Sequence, residues 1–128
     1  MKLKLKGEDL LSCLENGVCK WPEREGRFPQ VSGVRFAFDG SKPPGQRVID
    51  GSVMIGEKPL NLKEHYTLAT KAYLALGKDG YGAMVNGTEL VDAEQGPILP
   101  NLLRQNLRML AALNGFSRSS VRSAHPAW

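Results

Sequence analysis

Residues 2–6 alternate Lys-Leu-Lys-Leu-Lys, the two-residue period of a strand that sends Leu3 and Leu5 toward a core and the lysines toward water. Gly7 breaks this alternation. Glu8 and Asp9 follow, where carboxylates favour the first turn of a helix, and Leu10, Leu11, Leu14 and Val18 recur at helical spacing. Asn16-Gly17 is the expected helix stop, and Trp21-Pro-Glu-Arg-Glu-Gly26 reads as a loop.

Val34, Phe36 and Phe38 alternate with Arg35, Ala37 and Asp39, the pattern of a half-buried strand. The prolines of Gly40-Ser-Lys-Pro-Pro-Gly45 end it, because proline lacks the ladder donor. A second strand is expected from about Arg47 to Ile55, with Gly51 a bulge or a close approach. Gly56-Glu-Lys-Pro59 reverses the chain, and Tyr66 to Thr70 returns as a third strand, so residues 31–70 read as an antiparallel meander. A short helical or irregular segment passes through Met84. Pro100 suits the first turn of a last helix, whose apolar face is Leu102, Leu103, Leu107, Leu110 and Leu113 and whose stop is Asn114-Gly115. Residues 116–128 show no periodicity and read as a flexible tail behind a single domain at 1–115.

Composition narrows the function classes. A chain of 128 residues with 41% hydrophobic content buries a core without disulfides, and no apolar run is long enough for a membrane span. The formal charge of +4 sits near the ends, at Lys2, Lys4 and Lys6 and at Arg104, Arg108, Arg118 and Arg122. Elsewhere the signs intermix, so a solvated surface explains the excess and nucleic acid is not expected as a partner. Cys13 and Cys19 lack metal spacing and read as small buried residues; His65 and His125 are lone histidines with no ligand set around them. Neither a metal site nor a nucleophile–base–orienter set is assembled, so no cofactor is expected in this chain.

The candidate chemistry lies in Tyr66-Thr-Leu-Ala-Thr-Lys-Ala-Tyr-Leu-Ala-Leu-Gly-Lys-Asp-Gly-Tyr81. A strand runs into a loop in which Gly77 and Gly80 permit sharp turns, with the Asp79 carboxylate between them and Tyr73 six residues earlier. An aromatic face stacks on a base, and a carboxylate accepts hydrogen bonds from vicinal ribose hydroxyls, so the pair suits a nucleoside. The plainer readings stand beside it: Tyr73 capping the core at the end of its strand, Asp79 an ordinary turn residue. Phe28, Phe36 and Phe38 read as core, and Arg27 and Arg47 as surface or ion-pair residues rather than phosphate ligands.

These blocks, with Glu15-Asn-Gly-Val18, Gly26-Arg-Phe-Pro-Gln-Val-Ser-Gly-Val-Arg-Phe-Ala-Phe-Asp39 and Ser41-Lys-Pro-Pro-Gly-Gln-Arg-Val48, strongly resemble the C-terminal domain of the 5'-nucleotidase family, which includes UDP-sugar hydrolases. The resemblance runs from about Leu5 to the helix ending near Leu113. It implies an α+β fold, a mixed and largely antiparallel sheet flanked by helices.

It also implies a substrate-recognition domain for a nucleoside or nucleotide, whose partner is an N-terminal metallophosphoesterase domain carrying a divalent metal pair. That catalytic domain is not in this chain, which opens on a family strand and is expected to be an incomplete piece, inactive alone. By resemblance Tyr73 matches the second aromatic of a base-stacking pair and Asp79 the carboxylate on the sugar hydroxyls. The first aromatic and the residues that contact phosphate and base precede this segment in the family. The chain departs from the family block at Lys71, where asparagine is usual, and at Lys78, where glycine is usual. Lysine at a position needing positive φ would strain the loop, yet Lys78 also brings a cation to the substrate. These departures keep a second reading open: a non-catalytic binding module that has kept the fold and lost the pocket. Family members are mostly periplasmic, secreted or cell-surface, and leucine faces deprived of their partners leave homodimerisation open.

Overall fold

A computed structural model describes residues 1–23 and 25–113. The expected stop at Asn114-Gly115, the tail and His125 lie outside the described residues. The chain divides into a unit covering Met1–Ala93 and a second beginning at Glu94.

In the first unit, β1 (Lys2–Lys6) runs directly into α1 (Gly7–Val18). Leu3 and Leu5 are buried and the intervening lysines are not, as the alternation requires. No side chain caps the start of α1. Two of its free amides are satisfied by backbone instead, Gly7 donating to the Glu64 carbonyl at 2.9 Å and Glu8 to that of Leu62 at 3.1 Å.

The α+β class stands, built on two three-stranded antiparallel sheets. One has the order β5–β1–β6, with β5 His65–Ala69 and β6 Thr88–Val91; Leu3 pairs with Leu68 and Leu5 with Tyr66. The other joins β2 (Val34–Arg35), β3 (Met54–Ile55) and β4 (Lys58–Pro59). The expected meander over 31–70 is therefore corrected. Its third strand leaves the meander and pairs with β1, which places Tyr66 and Leu68 against the core that holds Leu3 and Leu5. The expected long strand from Arg47 to Ile55 is also cut short. A turn closed by the Ser52 amide on the Ile49 carbonyl, at 3.0 Å, leaves a single bridge between Phe38 and Val48 and then β3.

α1 supplies both cores. Leu10 and Cys13 join Leu3, Leu5, Tyr81 and Met84, while Leu14 and Val18 join Val48 and Val53. Trp21, Phe28, Phe36 and Phe38 form an aromatic cluster with neighbouring ring centroids 5.5 to 6.3 Å apart. A short helix, α2 (Ala72–Ala75), follows β5. In the second unit, α3 (Leu99–Leu113) follows Ile98, whose carbonyl accepts from Asn101 and Leu102, and Pro100 lies in its first turn. Among the described residues no helix is long and apolar enough to cross a membrane.

Candidate functional site

After β5 the chain makes the single turn of α2 and then a left-handed kink at Gly77. Ala75 is buried and fixes α2 on the core, so Tyr73 on its other side projects outward and is 52% exposed. Asp79 follows in a 3-10 turn with φ +54°, the one non-glycine residue with positive φ among the described residues. That conformation costs about 1 kcal/mol for a residue with a Cβ, although aspartate tolerates it better than most.

The loop holds this shape because Asn16 reaches across from α1, its Nδ2 donating to the Asp79 carbonyl at 3.0 Å. The same amide lies where a Cβ on Gly80 would stand, and Gly80 has φ +80°. A side chain there would have to push that amide aside while holding a strained left-handed backbone. Tyr81 pins the far end: it is buried, and its hydroxyl donates to the Arg27 carbonyl at 2.6 Å. Burial pushes its phenol pKa up.

Tyr73 and Asp79 meet. The phenol donates to Asp79 Oδ1 at 2.9 Å, and this hydrogen bond to the carboxylate raises the Tyr73 pKa. Oδ2 makes no hydrogen bond among the described residues and is free to accept. Positive φ falls on Gly77, Asp79 and Gly80, not on Lys78, so the expected strain at the lysine is corrected. Lys78 is exposed and forms no ion pair among the described residues.

The Glu15-Asn-Gly-Val18 block emerges as the scaffold of this region. Glu15 accepts the backbone amides of Arg47 at 3.0 Å and Val48 at 2.7 Å. Asn16 holds the site loop. Gly17 lies inside α1 rather than ending it, a correction to the expected stop; its lack of a side chain makes room for Pro29, which a Cβ there would meet. Val18 is fully buried, and its carbonyl accepts from Arg47.

Arg47 itself corrects the expectation of a surface or ion-paired residue. It is 8% exposed and donates to three backbone carbonyls, those of Val18 at 2.7 Å, Lys42 at 2.8 Å and Trp21 at 3.0 Å. It thus caps the C-terminus of α1, where the helix dipole favours a cation. The only sequence signal is a lone arginine before an apolar strand, which does not reveal burial. Arg27 does form the expected ion pair, with Glu25 at 2.8 Å.

The site is a rim rather than a cavity. A groove of about 1080 Å³ opens elsewhere, between α1 and the 42–62 segment, lined by Glu15, Cys19, Val48 and Asp50 among others. Asn16 borders it, but Tyr73 and Asp79 do not. Among the described residues no cluster of histidine, cysteine, aspartate or glutamate has the geometry to hold a metal. Cys13 is buried with its thiol pushed up to about 12 by desolvation, and Cys19 is half-buried with Sγ 3.8 Å from Arg27 Nη1.

The sequence and the fold both match known proteins. The family model for the 5'-nucleotidase C-terminal domain matches residues 1–87. The apyrase of Aedes albopictus is 37% identical over 93 residues, covering 67% of this chain and 16% of that protein. The 5'-nucleotidase of Diplobatis ommata is 30% identical over 90 residues, covering 66% of this chain and 16% of its own length. The crystal structure of a 5'-nucleotidase precursor from Thermus thermophilus superposes with a TM-score of 0.57 at 38% identity, over 66% of this chain and 17% of that one. The chain thus spans about one-sixth of the length of these relatives. With the matching segment covering β1, α1, both sheets' remaining strands up to β5, and the Tyr73–Asp79 loop, the chain belongs to the 5'-nucleotidase C-terminal domain family.

Proposed function

We propose that this domain recognises the base and ribose of a nucleotide for a metal-dependent 5'-nucleotidase, with the phosphate delivered to a metal pair on a separate domain. One observation carries the reading: an exposed tyrosine ring and a carboxylate, joined by a 2.9 Å hydrogen bond, stand together on a braced loop. The ring offers a stacking face. The phenol orients the carboxylate and leaves Oδ2 to accept from a ribose hydroxyl. Lys78, exposed beside them, supplies a cation for a phosphorylated ligand.

Binding energy gained at base and sugar would orient the scissile phosphate, a proximity effect exerted at a distance from the chemistry. A single stack contributes about 1–3 kcal/mol, so this domain alone would bind a nucleoside at millimolar strength or weaker. Phosphate-ester cleavage by the isolated chain is not expected.

The test is kinetic. In the complete enzyme that joins this domain to a metal-bearing one, Tyr73→Ala should raise KM for nucleotides at least ~10-fold, the equivalent of about 1.4 kcal/mol, with metal content unchanged. An unchanged KM for every nucleotide tried would refute the assignment. A second reading, a binding module without the pocket, is favoured by the grooves lying away from Tyr73 and Asp79. Under it no nucleoside binds at all.

A further inference from the structure

The family match ends at residue 87, and α3 lies beyond it. Within this helix, Leu99, Leu102, Leu103, Leu107, Met109, Leu110 and Leu113 fall on one side at 100° per residue, while Arg104 and Arg108 fall on the other. All seven apolar side chains are at least 43% exposed. A contiguous apolar stripe of this length marks an interaction surface.

One polar residue interrupts it. Asn106 lies at the centre of the stripe, seven residues after Leu99 and seven before Leu113. With Leu99 at heptad position a, the seam reads Leu99, Leu102, Asn106, Met109, Leu113 through alternate a and d positions, with Leu103 and Leu110 widening it at e. A lone asparagine at a central a position specifies register in helix pairs, because its buried amide needs a partner. An asparagine amide carries both donor and acceptor, so a second asparagine satisfies it.

We propose that α3 pairs with α3 of a second copy of this chain, with Asn106 meeting Asn106 at the middle of the seam. In a parallel pair held in register, the two a-position amides face each other across the seam. Arg104 and Arg108 fall at f and c, off the seam, so two copies approach without like-charge repulsion across it. Two faces of a helix roughly 22 Å long bury on the order of 1,000 Å² together, the lower edge of a specific interface. A membrane surface fits the stripe less well. It would leave the Asn106 amide in the acyl region without a partner, and the stripe carries no tryptophan or phenylalanine to anchor it.

The test uses light-scattering mass on the full chain from about 1 µM to about 500 µM. The wild-type chain should pass from monomer to dimer over this range. Asn106→Asp and Asn106→Lys should each weaken the dimer at least ~10-fold, and an equimolar mixture of the two should recover it, because the opposite charges then face each other. A wild-type chain that stays monomeric throughout overturns the proposal, and one that does so yet cosediments with phosphatidylcholine–phosphatidylglycerol vesicles assigns the stripe to membranes instead. Single variants that remain fully dimeric, or a mixture of monomeric variants that stays monomeric, overturn it as well.

Discussion

Glu15 and Arg47 clasp the same junction from opposite sides without touching each other's charge. The glutamate accepts the backbone amides of residues 47 and 48, while the arginine returns its guanidinium to the end of the helix that carries the glutamate. Each charge is satisfied by backbone dipoles, so the pair locks α1 to the segment entering the second sheet through hydrogen bonds to neutral groups rather than through an ion pair.

Arg47→Met should therefore be costly. It strips three carbonyls of a charged donor at a buried helix end, and about 2–4 kcal/mol of stability should be lost. Arg47→Lys should recover little, because a single ammonium cannot span the three carbonyls as the planar fork does. Urea denaturation compared with the wild-type chain measures both.

The brace on the site loop makes a contrast between two glycines. Gly80 and Gly45 both have positive φ, but a Cβ on Gly45 meets nothing within 4 Å, whereas on Gly80 it meets the Asn16 amide. Gly45→Ala should cost about 1 kcal/mol from the backbone alone, and Gly80→Ala clearly more. Asn16→Ala should relieve part of the Gly80→Ala penalty, which a double-mutant cycle by thermal denaturation will read as coupling.

What is legible in the sequence follows from how far each signal reaches. The β1 alternation, the α1 stripe and the Val34–Phe36–Phe38 face are local periods, and each appears where its period placed it. The split into two sheets is not legible, because Tyr66 and Leu68 carry the same alternation whether they pair with the 47–55 segment or with β1. β6 leaves no signal, since Thr88–Val91 is too short to show a period. At the site, Tyr73 and Asp79 are visible as residue types, and the glycines point to the turn. The contact that shapes it comes from Asn16, 63 positions away from Asp79 in the chain, and no local pattern announces such a partner.

The Tyr73–Asp79 bond has a spectroscopic consequence. With its pKa raised chiefly by that hydrogen bond, Tyr73 should ionise at higher pH than a free tyrosine, and Asp79→Asn should bring it back toward the ordinary value. The bond favours the neutral phenol, so its stabilising effect is present below the ordinary tyrosine pKa and fades as pH rises through the folded one. Ultraviolet difference titration, with Tyr73→Phe to identify the transition, distinguishes this from the raised Tyr81.

The two thiols should differ sharply. Cys13, buried with a pKa of about 12, should stay unreactive toward a disulfide reagent at neutral pH, while half-buried Cys19 reacts. Because burial holds the Cys13 thiol protonated, the stability it contributes is complete below about pH 9 and declines as pH climbs toward 12. Cys13→Ala should flatten that decline in denaturation measured across the alkaline range.

Whether Tyr73 and Asp79 together receive a nucleoside can be read from amide chemical shifts of the labelled chain. Titration with adenosine to about 10 mM should move Tyr73, Asp79 and Gly80, and 2',3'-dideoxyadenosine should move them much less, because it offers no hydroxyls to the carboxylate. Stationary resonances at all three positions, or equal responses to the two nucleosides, would rule out nucleoside recognition by this pair.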